Sequence, residues 1–234
     1  MEQYIKLNTQ TVGKDKIARL LQYMCRLMWY QIQKRKFNPY TVDKLKSLEY
    51  TLSTFRKLLR LGKSVEVLHS ALKSIHYEDV AVKLTSTMSK ISTAIFLLTD
   101  NILWIGRSGL ATVDTSKWSQ ISNKYWLYSI LLNLCRDFYE ITKLMDEKNI
   151  RIRLHGGIDL NIMYKHFMSL GENLITEHKD VFWDTVKNAC DVWIPLNALG
   201  YTKLTPGFIG MMGTISSIAG LISLINPKAR LTPS

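Results

Sequence analysis

The chain has 234 residues, of which 47% are hydrophobic and 21% charged, and its formal net charge is +12. This composition excludes a disordered chain, and the length suffices for one large helical domain or two small ones. The three cysteines, Cys25, Cys135 and Cys190, lie far apart and form no C-x-x-C pair, which indicates a reducing compartment.

The positive charge is concentrated in the N-terminal third. Residues 1–76 hold 15 Lys and Arg against 5 Asp and Glu, whereas residues 77–234 hold 16 against 14. Such a field attracts anions: lipid headgroups, nucleic acid or an acidic protein surface. The first residues lack the apolar stretch of a secretory signal, and the final LTPS is not a peroxisomal matrix signal of the SKL type. A membrane protein inserted by another route remains possible.

Apolar residues recur at helical spacing along most of the chain. Proline or glycine punctuates the pattern at Asn38-Pro39, Gly62, Gly106 and Pro195, and Pro195 is expected to stop the fifth helix. The alternating IRIRL at 150–154 has no partner strand, so the predicted class is all-α. The predicted helices are residues 14–36, 42–76 with a bend at Gly62, 79–105, 119–148, and 161–193 in one or two pieces.

These elements predict five regions along the chain. The glycine pair Gly156-Gly157 is the clearest break, and a polar linker spans residues 112–118. The regions are 1–110, basic amphipathic helices; 111–160, the polar linker, the fourth helix and the Gly-Gly break; 161–206, the fifth helical region; 207–225, a transmembrane anchor; and 226–234, a short tail.

The C-terminal run from Gly207 to Ile225 contains 19 uncharged residues between Pro206 and Pro227. As a helix it would be about 28 Å long, close to the roughly 30 Å of a bilayer core. A buried helix of a soluble protein is the alternative, but glycine and serine are more usual in lipid, where small residues let helices approach. The predicted packing residues, which also suggest self-association, are Gly213, Ser216, Ser217 and Gly220. Lys228 and Arg230 favour a cytosolic C-terminus.

A second apolar stretch, residues 91–113, contains Asp100 and Arg107. An Asp near the centre of a span costs about 2.5–3.5 kcal/mol on insertion scales. This stretch is therefore either a marginal span or a deeply buried amphipathic helix.

Residues 52–76 predict an amphipathic helix with two distinct faces. An interfacial helix has this pattern, with its apolar face in the acyl boundary and its cations toward anionic headgroups; a solvated bundle helix is the alternative. The predicted membrane-inserting residues are Val65, Leu68, Leu72 and Ile75, and the predicted anionic-lipid-binding residues are Arg56, Lys57, Arg60 and Lys63.

Four segments resemble the peroxin-11 family of peroxisomal membrane proteins, most of all its animal beta-type members. The segments are LRLGKS at 59–64, DNILWIGRSGL at 100–110, KWSQISNKYWLYSILLNLCRDFYEI at 117–141 and NACDVWIPLNALG at 188–200. They occur in family order over nearly the whole chain. The region around Gly156-Gly157 is shorter than the Gly-rich linker that beta-type members can carry.

The resemblance implies an integral protein of the peroxisomal membrane that elongates the organelle and promotes its proliferation and fission. Both termini are expected to face the cytosol. In that family an N-terminal amphipathic helix enters the cytosolic leaflet and bends it; the matching helix here holds Arg56, Arg60 and Lys63. The family self-associates and acts with a dynamin-type fission GTPase and its tail-anchored receptor. A homo-oligomer with these partners and with anionic membrane lipid is thus expected.

No catalytic motif is evident, so the chain is not expected to be an enzyme or to need a cofactor or metal. GRSGL at 106–110 lacks the second glycine of G-x-S-x-G, and no Walker A pattern is present. Nucleic-acid binding by the basic third is a weaker alternative because of the C-terminal span. A solute channel, with Asp100 and Arg107 facing its pore, remains a second functional hypothesis.

Overall fold

The architecture comes from a computed structural model that describes residues 11–36, 38–147 and 178–226. All regular structure in these ranges is α-helical, so the predicted all-α class, a bundle of amphipathic helices with a C-terminal transmembrane helix, is confirmed. The helices are α1 Thr11–Lys34, α2 Pro39–Leu59, α3 Lys63–Ser74, α4 Val80–Arg107, α5 Thr115–Glu147, α6 Lys179–Asp191, α7 Trp193–Ala198 and α8 Pro206–Ile225.

Local sequence sets the starts of several helices. The Asn38 side chain accepts a hydrogen bond from a backbone N–H of α2, whose first residue is Pro39. Asp79 caps α4 in the same way, and Thr205 caps α8 directly before Pro206. Short polar side chains at the cap and proline at the first position both suit the unpaired N–H groups of a helix start.

The predicted continuous helix over 42–76 is wrong. It is divided into α2 and α3 by a turn at 60–62, where Gly62 has a φ of 74°. That left-handed conformation strains any residue with a Cβ, which is why glycine stands there. Since the two helices differ in direction, a single helical wheel drawn through 52–76 does not describe the faces they present.

Pro195 does not stop a helix, contrary to the prediction. It lies in the first turn of the short α7, where the missing N–H removes no intrahelical hydrogen bond. The predicted break at Gly156-Gly157, the IRIRL stretch and the tail after Asn226 lie outside the described residues, as does most of the fifth predicted helix.

The two ends of the described chain are packed together. Helix α1 lies between α2 and α8, and α8 also contacts α6. Helix α5 runs along α4, α3 also packs against α4, and α6 contacts α5. The predicted N-terminal region and the predicted anchor are therefore direct neighbours in the fold.

Candidate membrane-binding surface and polar interior

The described part of the bundle buries many polar residues and exposes many large apolar ones. Its interior holds as many polar and charged residues as apolar ones, and Asp100, Asp137 and Asn188 are at most 1% exposed. A soluble helical bundle shows the opposite arrangement, while polar residues that face inward are typical of helices in lipid. Exposed apolar residues occur on most helices: Leu21, Met28, Leu48, Phe55, Leu68, Leu84, Leu98, Leu131, Phe138, Met211, Ile215 and Ile218.

Helix α3 shows this inversion within twelve residues. Its small residues Ser64, Ala71 and Ser74 are buried against α4, at most 4% exposed. The four residues predicted to insert into the membrane form an adjoining, outward surface, 43–70% exposed: Val65, Leu68, Leu72 and Ile75. We call these four residues the α3 apolar face. Such a contiguous exposed apolar surface marks a site for lipid or a partner.

Exposed apolar residues continue past both ends of α3. Leu61, in the turn before it, is 47% exposed, and Val80, at the start of α4, is 76% exposed. Leu58 at the end of α2 is 43% exposed. The sequence pattern did not single out these three residues, because Leu58 and Leu61 fell within the helix predicted over 42–76 and Val80 at the start of the helix predicted over 79–105.

Three of the four predicted lipid-binding cations point into the bundle and pair with carboxylates there, and their binding to anionic lipid stays a prediction. Lys57 forms an ion pair with Asp100, and Arg60 Nη2 lies 2.9 Å from the other oxygen of the same carboxylate. Arg56 Nε donates a hydrogen bond of 3.1 Å to Asp15 Oδ1. The physical reason is that carboxylates buried on α1 and α4 require compensating cations, and α2 supplies them.

The fourth cation, Lys63, also faces inward, at the first turn of α3. It lines the same internal cavity as Arg56, Lys57 and Arg60, a space of about 550 Å³ enclosed mainly by α1, α2, α4 and α5. The fold therefore does bring the four predicted cations together, but around this cavity and not on the surface opposite the α3 apolar face.

Ion pairs tie distant parts of the chain together around the cavity. Arg19 of α1 pairs with Asp191 of α6, and Arg26 pairs with Glu49 of α2. Burial opposes ionisation of Asp15, but nearby Arg56, Arg60 and Lys16 outweigh it and hold the pKa of this carboxyl below its ordinary value. Sequence analysis did not find Asp15 or Asp191, because nothing in the sequence links residues this far apart.

The small residues of α8 do pack tightly, as predicted, but inside the chain. A Cβ at Gly213 would lie 2.3 Å from the Tyr23 ring of α1, and one at Gly220 would lie 3.0 Å from Lys16 Nζ. Ser216 and Ser217 are fully buried. Helices α1 and α6 cover this face within the chain, and self-association through it stays a prediction.

Helix α8 is the one described helix long and apolar enough to cross a membrane. Its outward face carries Met211, Ile215 and Ile218, each at least 38% exposed. For residues 91–113 the structure supports the amphipathic alternative, since Asp100 is 1% exposed and directed toward α2.

Exposed apolar residues, buried polar residues and one helix of spanning length together fit a helical protein of a membrane. Residues 1–225 match the family described as Peroxisomal biogenesis factor 11 (PEX11). The chain belongs to this family, whose proteins are those of the peroxisomal membrane. No solved structure matches the chain.

The relatives agree with this assignment over the full length. The chain is 34% identical to Peroxisomal membrane protein 11B of Bos taurus over 258 residues, covering 100% of both chains. It is 33% identical to Peroxisomal membrane protein 11A of Homo sapiens over 244 residues, covering 99% of both. Peroxisomal membrane protein 11 homolog of Dictyostelium discoideum is 26% identical over 236 residues, covering 94% of this chain and 92% of the relative.

Proposed function

We propose that this chain remodels the peroxisomal membrane, elongating it and promoting peroxisome proliferation and fission. The α3 apolar face enters the cytosolic leaflet and acts as a wedge. The observation that supports this proposal is the orientation of α3, whose small residues face the protein while its large apolar residues face outward.

The energetics favour insertion of a preformed helix. Fully burying a large aliphatic side chain gains roughly 1.5–3 kcal/mol, so four partly exposed ones gain several kcal/mol on entering lipid. Helix α3 is already held against α4, so little ordering opposes insertion. The wedge therefore needs only a membrane surface close to α3.

Anionic lipid is attracted by cations other than those first predicted. Exposed basic residues of the N-terminal third cluster at the end of α1 and the start of α2: Lys34, Arg35, Lys36, Lys44 and Lys46. Each such residue near an anionic surface contributes about 1 kcal/mol. We assign lipid attraction to this cluster, with Arg56, Lys57, Arg60 and Lys63 occupied inside the bundle.

Further parts of the proposal rest on family resemblance. Both termini face the cytosol, the chain forms homo-oligomers, and it acts with a dynamin-type fission GTPase and the tail-anchored receptor of that GTPase. The outward face of α8, with Met211, Ile215 and Ile218, is the surface of that helix left for a second copy. The biogenesis name of the family agrees with a non-enzymatic role.

Peroxisome length in cells tests the proposal. The chain is expressed in cells that lack their own family members, and organelles are measured by fluorescence microscopy. The wild type should elongate peroxisomes, and the Leu68→Glu/Leu72→Glu variant should not, at equal abundance in the membrane. Lys73→Glu is the control, since it changes the net charge by the same two units on the exposed polar side of α3. Elongation by the double variant would refute the wedge.

A solute channel is the second candidate function. It is favoured by the internal cavity, because Asp100 and Arg107, the residues predicted to face a pore, both line it. Conductance of the purified chain in planar bilayers tests this candidate. A channel should lose or change its ion selectivity in Arg107→Glu, whereas a pure membrane wedge should show no conductance in either form.

A further inference from the structure

The internal cavity has a charge imbalance that the protein itself does not neutralise. Eight Lys and Arg side chains line it, against two carboxylates, Asp15 and Asp100. Two more carboxylates, Asp191 and Glu49, do not line the cavity but form ion pairs with Arg19 and Arg26. Because Arg56, Lys57 and Arg60 share Asp15 and Asp100, the enclosed region keeps a positive excess.

Three lining cations have no ion pair within the described chain: Lys16, Lys63 and Arg107. Arg107 Nη1 donates long hydrogen bonds to the hydroxyls of Ser53 and Thr54, at 3.3 and 3.4 Å, and its guanidinium lies 4.9 Å from the centre of the Tyr50 ring. Unpaired cations in a partly enclosed space are unfavourable, since burial removes part of their hydration. A ligand that brings negative charge would relieve this cost.

Arg19 provides an independent sign that the cavity can accept a ligand. The residue is 7% exposed and lines the cavity, and its Nε–H is buried without a hydrogen-bond acceptor. Buried donors are nearly always satisfied in native proteins. Burial and the nearby cations Arg19 and Lys187 also lower the pKa of Lys16 to about 7, although Asp191 and Asp15 oppose this. The interior field therefore resists positive charge.

A second cavity adjoins the first. It has a volume of about 650 Å³ and shares Asp15, Arg60 and Lys63 with the first cavity. Its remaining lining comes from the start of α1, the turn around Gly62 and one further carboxylate, Glu66 of α3. Together the two spaces can hold a small organic anion, because ligand sites usually measure about 300–1,000 Å³.

We propose that this cavity is a binding site for a phosphate-bearing anion, either a soluble phosphorylated molecule or the phosphorylated headgroup of a lipid. Several guanidinium groups with fixed N–H donors suit phosphate oxygens, which accept paired hydrogen bonds. The stacked rings of Phe96 and Trp126, 5.7 Å apart, form an apolar wall for the rest of the ligand. The site is separate from the α3 apolar face and does not depend on membrane wedging.

Isothermal titration of the full chain in phosphatidylcholine nanodiscs, with inorganic pyrophosphate as probe, tests the proposal. Pyrophosphate should bind the wild type and raise its melting temperature. The cavity variant, which combines Lys16→Gln with Arg107→Gln, should bind pyrophosphate more weakly. Each substitution should raise the dissociation constant about tenfold or more, since each removes a charge-assisted interaction. Lys73→Gln, an exposed cation outside the cavity, is the control and should bind like the wild type.

A second arm separates the two sources of phosphate. Nanodiscs that contain phosphatidylinositol 4-phosphate should stabilise the wild type more than the cavity variant when the ligand is a lipid headgroup. Binding in either arm with loss in the cavity variant supports the site. No binding in both arms, or equal loss in Lys73→Gln, overturns it. The cavity variant should still elongate membranes, and Leu68→Glu/Leu72→Glu should still bind pyrophosphate, so this proposal and the wedge can fail separately.

Discussion

Lys57 of α2 and Asp100 of α4 form a buried ion pair, although they lie 43 residues apart and belong to segments with different predicted roles. Arg60 contacts the same carboxylate, so Asp100 holds two cations at once. This arrangement turns the basic side of α2 inward. The Leu, Val and Ile residues that follow are then free to form an exposed surface.

Asp100→Asn should destabilise the bundle strongly. Removing one partner of a buried ion pair costs about 3–5 kcal/mol, because the remaining charge stays buried without compensation. Adding Lys57→Met to Asp100→Asn should recover a large part of that loss. Denaturation midpoints in detergent micelles measure both. Equal instability of the single and double variants would show that the pair is not formed.

Gly210→Ala should weaken the packing of α8 on α1. A Cβ at this position would lie 2.9 Å from the backbone nitrogen of Leu27, so one helix must move. Overpacking of this kind costs about 1–3 kcal/mol. Met211→Ala, on the outward face, should change the melting temperature little, because its side chain is 41% exposed. Similar losses in both variants would contradict the assigned faces of α8.

The stability of the bundle should depend on pH through Lys16. Its pKa falls from an ordinary value of 10.5 to about 7, because of burial and then Arg19 and Lys187, with Asp191 and Asp15 opposing. Between pH 7 and 10.5 the amine of Lys16 therefore carries a proton more often in the unfolded chain than in the folded one. The free energy of unfolding then rises with pH over this window. Melting temperatures of Lys16→Met should rise less over that window than those of the wild type. An unchanged slope would assign the pH dependence to another group.

The depth of α3 in a bilayer should follow its exposure in the fold. Bimane labels at Cys substituted for Leu68 or Leu72 should be quenched by brominated lipid, whereas a label at Lys73 should not. The full chain is used, with Cys25, Cys135 and Cys190 replaced by Ala so that each variant carries one thiol. Equal quenching at all three positions, or none at Leu68, would place α3 away from the interface.

Hydrophobic periodicity predicted most of the helices, because a 3.6-residue repeat is a local property. The predicted third helix, 79–105, agrees with α4, Val80–Arg107, to within two residues at each end. The uncharged segment predicted as a helix over 207–225 likewise agrees with α8, Pro206–Ile225. The apolar residues of α3 could be chosen from sequence because their spacing places them on one face of a single helix.

The direction of each polar face could not be predicted from sequence. A helical wheel separates polar from apolar residues but does not say which side meets the protein, and lipid reverses the usual answer. Arg19 and Asp191 lie 172 residues apart, so no local signal connects them. Gly62 in the sequence predicts only a bend. In the structure the helix ends there, so Arg56 lies on α2 and Val65 lies on α3.

The most direct test of the central claim, that α3 bends membrane by inserting its apolar face, is tubulation of liposomes by the full chain. The purified protein is reconstituted into anionic liposomes, and tubules are counted by electron microscopy. The wild type and Lys73→Glu should form tubules, and Leu68→Glu/Leu72→Glu should leave the vesicles spherical at equal protein content. Tubules of normal number from Leu68→Glu/Leu72→Glu would contradict the claim.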